Sequence, residues 1–182
     1  CLRLVNMNIS AANNLLLLVD EMMAYSKNPE LLLEKRQNFE LNALIGKIQG
    51  LLNVPDDIRI ELPEVKHQLH YSIIAVEQLL INLLSNAIRY NDKPEAVIQI
   101  RFGENEAFYL LEVEDNGCGI PESFLEKIFS NNFTLKTKDR FDTLGSGIGL
   151  ATVKDLLFLL GSSISVRSVL GKGTTFMVCL KK

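Results

Sequence analysis

The sequence is poor in cysteine and histidine, and this scarcity excludes two kinds of small domain. Its 182 residues include only three cysteines, Cys1, Cys118 and Cys179. This odd set has no framework spacing, so it argues against a disulfide scaffold and suits a reducing compartment. His67 and His70 are the only histidines. No cluster of cysteine and histidine side chains has the spacing of a zinc site.

Long apolar runs and basic blocks are also missing. No run approaches the roughly 20 apolar residues that span a bilayer, so we expect membrane attachment only through regions outside this chain. The formal net charge is −3 and the basic residues form no block, which argues against a nucleic-acid partner. Hydrophobic residues make up 47% of the sequence and charged residues 23%, the composition of an ordinary globular domain.

Two common glycine motifs for nucleotides are absent as well. The glycine cluster 145–149 is followed by Leu150, where a dinucleotide fingerprint needs another glycine, and loop-like residues precede it instead of a strand. At the other candidate, Gly173 stands where a P-loop needs Ser or Thr after Lys172, and Val166 stands where it needs its first glycine.

What the chain does contain begins with an apolar stripe in residues 1–27. Apolar side chains alternate at intervals of three and four residues: Leu2, Val5, Ile9, Ala12, Leu16, Val19 and Met23. Further leucines over residues 15–18 broaden the stripe, which favours a helical bundle over a terminal helix packed on its own domain. Because Cys1 already lies within this pattern, we expect the chain to be a piece of a longer protein.

After a break at Pro29, residues 37–182 alternate between short helices and strands. Helices are predicted over residues 42–52, 72–90, 122–129 and 147–160, and strands over 39–41, 58–62, 97–102, 107–114, 163–169 and 174–180. This order predicts an α+β fold of two layers, in which helices cover one face of a mixed, mostly antiparallel sheet.

Three polar side chains share one face of the predicted helix 72–90. Asn82, Asn86 and Arg89 are spaced four and three residues apart, which places them on the same side of a helix. Asparagine is a mediocre helix former, so two asparagines among leucines need a reason. Either they belong to the solvent face of an amphipathic helix, or their amide oxygens serve a hard cation while the guanidinium serves phosphate.

The stretch from Asp115 to Leu150 has the features of a nucleotide pocket with a lid. A strand pattern ends at Asp115 and a turn rich in glycine follows it. Residues 130–144 are polar with almost no apolar periodicity, so we expect few buried contacts to hold them. The glycine cluster 145–149 then opens a helix, where backbone N–H groups attract phosphate and glycines permit its close approach.

Four stretches together resemble the motifs of sensor histidine kinases. Residues 82–91 resemble the N box, and residues 115–119, 145–150 and 171–176 resemble the three glycine boxes. Their order and spacing match over about residues 37–182. The resemblance implies a catalytic domain with the Bergerat-type two-layer sandwich of gyrase-, chaperone- and MutL-type ATPases. It also identifies residues 1–27 as the second, coiled-coil-like helix of a dimerisation hairpin.

The resemblance implies ATP as the ligand and Mg²⁺ as the cofactor. Asp115 would accept a hydrogen bond from the exocyclic amine of adenine, with Thr174 nearby. Asn82 and Asn86 would hold Mg²⁺, and Arg89 would contact phosphate, which gives Asn82 and Arg89 catalytic positions. The other implied nucleotide contacts are Tyr90, Gly117, Gly119, Gly145, Gly147, Gly149 and Leu150, with Lys136 and Arg140 on an ATP lid over residues 130–144.

The sequence departs from the family in two places. Asn131 and Asn132 replace the usual proline and aromatic residue of the F box, although Phe129 and Phe133 remain. The family's phosphoacceptor histidine is also missing, because residues 67–70 lack the sequence that normally follows it. We therefore interpret the two histidines as surface residues.

The resemblance implies transfer of the γ-phosphoryl group of ATP to a histidine outside this chain, for relay to the receiver domain of a response regulator. It further implies a homodimer in the cytoplasm, formed through the protein's own dimerisation domain, as the cytosolic part of a membrane-bound sensor. ATPase relatives carry a water-activating glutamate at the position of Asn82, and an amide there disfavours hydrolysis. An ATPase switch, a serine kinase of the same superfamily and a nucleotide-binding pseudokinase stay open as alternatives.

Overall fold

The computed structural model describes residues 35–135 and 137–182. Within them, the helices are α1 (Leu41–Leu52), α2 (Ile73–Arg89) and α3 (Gly149–Leu159). The strands are β1 (Arg36–Glu40), β2 (Ile58–Glu61), β3 (Gln68–Ser72), β4 (Ala96–Glu104), β5 (Phe108–Asp115), β6 (Ser163–Val169) and β7 (Gly173–Lys181). The predicted N-terminal helix and dimerisation segment, residues 1–27, lie outside the described residues, so their assignment stays a prediction.

The main sheet has five strands in the order β2-β4-β5-β7-β6. Only the β2–β4 pair is parallel, and the remaining pairs are antiparallel. Strands β1 and β3 form a separate antiparallel pair. The predicted α+β architecture with a mixed, mostly antiparallel sheet is therefore confirmed.

The core lies between the helices and one face of the sheet. Alternate residues of the central strands, such as Ile98, Ile100, Leu111 and Val113, are at most 2% exposed, as expected when one sheet face is covered. Helix α2 contributes nine buried residues to the core, more than α1 or α3. None of the helices in the described part of the chain is long and apolar enough to cross a membrane.

Helix α2 begins where the sequence predicts. The Ser72 hydroxyl accepts a hydrogen bond from the N–H of Ala75 at 3.4 Å, the arrangement of a serine N-cap. The helix ends at Arg89, one residue before the predicted end at Tyr90. Both ends of the helix therefore lie within one residue of the predicted limits.

Two local elements differ from the prediction. Residues 68–72 form β3, a strand that was not predicted, and this strand buries Leu69 and Tyr71 while His70 is exposed as expected. The predicted helix 122–129 is a 3₁₀ turn over residues 122–124 followed by irregular turns. Only Ile128 in that segment is buried, which leaves too small an apolar face to stabilise a short helix.

Candidate nucleotide-binding site

A cleft of about 200 Å³ opens between α2, the end of β5 and the start of α3. A cavity of this size holds far more than a few water molecules. The predicted site residues that line it are Asn82, Asn86, Arg89, Tyr90, Asp115, Gly119, Gly145, Gly147, Gly149, Leu150 and Thr174. Four stretches that are far apart in sequence therefore meet in one place.

Helix α2 supplies one wall of the cleft through its polar face. Asn82, Asn86 and Arg89 all line the cavity, which confirms that they share a side of the helix. The Asn82 side chain donates from Nδ2 to the carbonyl oxygen of Gln78 at 3.0 Å, so its Oδ1 is turned to the acceptor role. Within the part of the chain that the structure covers, the side chain of Asn86 forms no hydrogen bond.

Asp115 also lines the cleft, as the last residue of β5. Its Oδ1 accepts a hydrogen bond from the N–H of Gly117 at 2.9 Å. Burial raises the pKa of Asp115 to about 6, against the lowering effect of hydrogen bonds from the backbones of Gly117 and Thr174, while neighbouring Glu114 raises it further. The carboxylate is thus partly desolvated and available to a ligand that donates a hydrogen bond.

The turn after Asp115 is held by two asparagines. Asn116 accepts hydrogen bonds on Oδ1 from Asn91 Nδ2 and from the N–H of Val97, both at 2.9 Å. Its Nδ2 donates to the carbonyl oxygen of Glu95 at 2.9 Å. These bonds tie the segment after α2 and the start of β4 to the end of β5.

Glycine is required in this turn by the close approach of other backbone segments. Gly119 has a φ of +69°, and a Cβ there would collide with the carbonyl group of Val169. A Cβ on Gly117 would lie 2.7 Å from the carbonyl oxygen of Tyr90. Gly117 does not line the cavity. It supports the site indirectly, because it lets the turn pack against the end of α2.

The second glycine cluster forms the wall at the start of α3. Gly145 lies against the hydroxyl of Tyr90 and Gly149 lies against Oδ1 of Asn82. Gly147 has a φ of +70°, and a Cβ there would be 2.7 Å from the carbonyl oxygen of Phe133. Because α3 begins at Gly149, unpaired N–H groups at its first turn lie at the cleft, an arrangement that suits an anion.

Polar and apolar residues that sequence reasoning did not select as site residues complete the cleft. Further lining residues are Ser85, Cys118, Ile120, Ile128, Phe133, Thr134, Leu135, Thr137, Ser146 and Phe176. Phe133 packs against Phe124 with ring centroids 5.7 Å apart, and Phe129 packs against Phe176 at 6.4 Å. The two phenylalanines that remain of the F box therefore contact the domain even though Asn131 and Asn132 replace its other positions.

The segment 137–144 is more firmly held than its polar sequence predicts. Asp139 is buried and forms an ion pair with Arg89, with 2.6 Å between Oδ2 and Nε. The expectation of few buried contacts is wrong at this residue. Its signal in the sequence, an aspartate four residues before Thr143 in a polar loop, does not stand out from other loop sequences.

The predicted lid contact Arg140 is not at the cavity in this structure. Arg140 forms an ion pair with Asp57 and does not line the cleft, so a phosphate contact from Arg140 stays a prediction that requires this pair to open. Lys136 lies outside the described residues. In the described ranges no group of three or more histidine, cysteine, aspartate or glutamate side chains is placed to hold a metal ion.

The sandwich and its cleft define a nucleotide-binding domain of the ATPase and kinase class. Residues 72–182 match the family described as Histidine kinase-, DNA gyrase B-, and HSP90-like ATPase. The chain belongs to this family, and the family match supports ATP as its ligand.

Similar proteins include sensor kinases from bacteria. The aerobic respiration control sensor protein ArcB of Escherichia coli strain K12 is 35% identical over 115 residues, which cover 63% of this chain and 15% of ArcB. The circadian input-output histidine kinase CikA of Synechococcus elongatus is 33% identical over 136 residues, which cover 75% of this chain and 17% of CikA. This chain thus spans less than a fifth of the length of either relative.

A solved structure with the same fold is the catalytic domain of histidine kinase ThkA in a nucleotide-free form. It matches with a TM-score of 0.65 and 26% identity, over 81% of this chain and 96% of that domain. The predicted resemblance to histidine kinases is therefore confirmed, both in sequence and in fold.

Proposed function

We propose that this chain is the catalytic domain of a sensor histidine kinase, which transfers the γ-phosphoryl group of ATP to a histidine outside the chain. The observation that carries the proposal is the meeting of Asn82, Asn86 and Arg89 with Asp115 across a single cleft. One end offers a hydrogen-bond acceptor suited to the adenine amine, and the other offers amide oxygens and a guanidinium suited to a metal-bound triphosphate.

The donor set fits Mg²⁺. Mg²⁺ in nucleotide sites takes few protein ligands and completes its shell with phosphate oxygens and water. Asn86 has a side-chain amide without a hydrogen-bond partner in the described residues, and the Oδ1 of Asn82 lies one helical turn away. When bound, the metal ion would neutralise charge on the phosphates. The protein's own share is to hold the triphosphate in line, since a loose phosphoryl transfer asks for positioning and charge neutralisation.

Asn82 supports a kinase over an ATPase switch. A general base that activates water must accept a proton, and an amide cannot do so. With an amide at this position, the γ-phosphoryl group is preserved for a histidine acceptor. Neither His67 nor His70 lines the cleft. His67 packs against Phe102 and His70 hydrogen-bonds Asn38, so neither is placed to accept phosphate.

The partners follow from this function. We infer that the acceptor histidine lies on a dimerisation hairpin, that the working unit is a homodimer, and that a response regulator receives the phosphoryl group. The membrane-bound sensor would be contributed by regions outside this chain.

Phosphoryl transfer in trans tests the proposal. The chain would be incubated with radiolabelled ATP and Mg²⁺, alone and with a separately made dimerisation hairpin that carries the acceptor histidine. We expect acid-labile label on the hairpin and none on the chain, since effective transfer requires an in-line acceptor and placement errors near 1 Å cost about a hundredfold. Label on His67 or His70 would contradict the proposal, as would steady release of free phosphate without transfer.

A further inference from the structure

The carboxylate of Asp139 is buried, and both of its oxygens accept hydrogen bonds from neighbouring residues. Its side chain is 0% exposed. Oδ2 accepts hydrogen bonds from Arg89 Nε at 2.6 Å and from the hydroxyl of Thr143 at 2.8 Å. Oδ1 accepts hydrogen bonds from the N–H groups of Phe141 and Thr143 at 3.0 and 2.9 Å.

These contacts keep the carboxylate charged. Burial alone would raise the pKa of Asp139, but the hydrogen bonds from Thr143, Arg89 and Phe141 together hold this pKa well below its usual range. A charged carboxylate accepts shorter and stronger hydrogen bonds than a neutral group does. Asp139 therefore supplies the negative charge that pairs with the guanidinium.

The position of Asp139 relative to the cleft decides what it can do. Arg89 lines the cavity and Asp139 does not, so the carboxylate contacts the Nε of Arg89 from outside the cavity lining. The Nη2 group of Arg89 also donates to the hydroxyl of Thr143 at 3.0 Å. The Nη1 group forms no hydrogen bond within the described residues, which leaves it for a ligand.

The backbone adds a second tie between the same two segments. The N–H of Arg140 donates to the carbonyl oxygen of Arg89 at 2.9 Å. This carbonyl belongs to the last turn of α2, whose acceptors have no partner inside the helix. The turn 139–143 is thus docked on the end of α2 by both main chain and side chains.

We propose that Asp139 is a positioning residue for nucleotide phosphate, acting through Arg89. It fixes the Nε edge of the guanidinium so that the opposite edge is presented to the triphosphate. A role as a competitor that phosphate displaces is disfavoured, because displacement would leave a buried carboxylate without its cation, which is strongly destabilising. The inference rests on the proposed function, since it assumes that phosphate binds at Arg89.

The test compares the binding of ATP and adenosine to the full chain by calorimetry. Adenosine reports on the base end alone, so the ratio of the two affinities isolates the phosphate end. Asp139→Asn keeps an acceptor for the two N–H groups but loses the charge. We expect it to lower the ratio of ATP to adenosine affinity about tenfold, the loss of roughly one charge-assisted hydrogen bond.

Asp142→Asn is the matched control. It removes the same charge from the same turn, and Asp142, whose side chain is 79% exposed, forms an ion pair with Lys138. Its φ of 61° is in a region that asparagine tolerates. We expect this variant to leave the affinity ratio unchanged, so that a general charge effect on ATP is separated from positioning.

Thr143→Val provides a second route to the same answer if Asp139→Asn does not fold. It removes the hydroxyl that bridges Asp139 and Arg89 and should lower the ratio two- to fivefold. The inference is overturned if Asp139→Asn and Thr143→Val both give a ratio of ATP to adenosine affinity that equals or exceeds that of Asp142→Asn. The proposed function would then still stand. Absence of ATP binding by the unmodified chain would overturn the proposed function itself.

Discussion

Two effects on the protonation of Asp115 oppose each other. Its burial at the end of β5 raises the pKa to about 6, which favours the protonated form. A hydrogen bond from the adenine amine is instead stronger to the charged form and favours it. A ligand that binds only the charged form must lower this pKa, so its affinity depends on pH in a calculable direction.

The affinity for adenosine should therefore fall as the pH is lowered through about 6. Below the pKa of the empty site, loss of the charged form weakens binding by up to about tenfold for each pH unit. Above it, the carboxylate is charged and the affinity should be constant. Adenosine is the right probe because it carries no phosphate that titrates in this range. A titration series between about pH 5 and 8 measures the profile.

Asp115→Asn is the control for this profile. Asparagine has a similar shape and does not titrate, so the variant should bind adenosine more weakly and without an inflection near pH 6. The same inflection in both proteins would assign the titrating group to another residue.

A second prediction for a single residue concerns Asn86 and the dependence of ATP binding on Mg²⁺. Asn86→Ala removes an amide oxygen that faces the cleft, and Mg²⁺ should then no longer strengthen ATP binding. The measurement is ATP affinity with and without Mg²⁺ in both proteins. Ser85→Ala is a suitable control, because Ser85 also lines the cleft but was not predicted to hold the metal. If Mg²⁺ strengthens binding to Asn86→Ala as much as to the unmodified chain, the ligand is a different residue.

Single residues were predictable from the sequence where a local pattern marked them. The spacing of Asn82, Asn86 and Arg89 on one helix, and of Asp115 before two glycines, needed only the sequence. Asp139 was not predictable in this way, because its partner Arg89 is 50 residues away. Contacts across such a distance depend on how the elements pack, and no local spacing signals them.

At the scale of elements, long periodic segments were predicted best. Helix α2 combines a serine cap with nine buried residues on one side, so its pattern was clear over 17 residues. Strand β3 has only five residues, and two of its side chains are exposed polar groups. Its strand conformation comes from pairing with β1, a partner that the local sequence does not reveal.

The turn after β5 gives a test at this scale. Gly119→Ala should destabilise the domain by about 1–3 kcal/mol, because a Cβ at a φ of +69° is strained and would also collide with the carbonyl group of Val169. Urea denaturation measures the change. The affinity for adenosine should fall as well, since Gly119 lines the cavity.

Gly103→Ala serves as the matched control. A Cβ at Gly103 meets nothing within 4 Å, and this residue lies in β4 and does not line the cleft. Its replacement should be neutral or slightly stabilising, because alanine restricts the unfolded chain. Equal destabilisation by the two substitutions would show that the turn has no special requirement for glycine.

At the scale of the whole molecule, the site exists only because the sandwich brings separate segments together. The β5–β7 pairing sets Thr174 directly beside Asp115, and the packing of α2 against α3 sets Gly149 beside Asn82. The sequence resemblance predicted this assembly through the order of the motifs. The distances between the two ends of the cleft, and the tie between α2 and the turn 139–143, depend on the packing of the assembled fold.

Adenine selectivity of the whole chain is the most direct test of the central claim, that one cleft binds ATP with its base at Asp115. Adenine presents an amine donor where guanine presents a carbonyl acceptor, so a carboxylate favours one and repels the other. Calorimetry with Mg²⁺ should give one ATP site per chain and an affinity for GTP at least about tenfold lower. In Asp115→Asn this difference should shrink. Equal affinities of the unmodified chain for ATP and GTP would contradict the account.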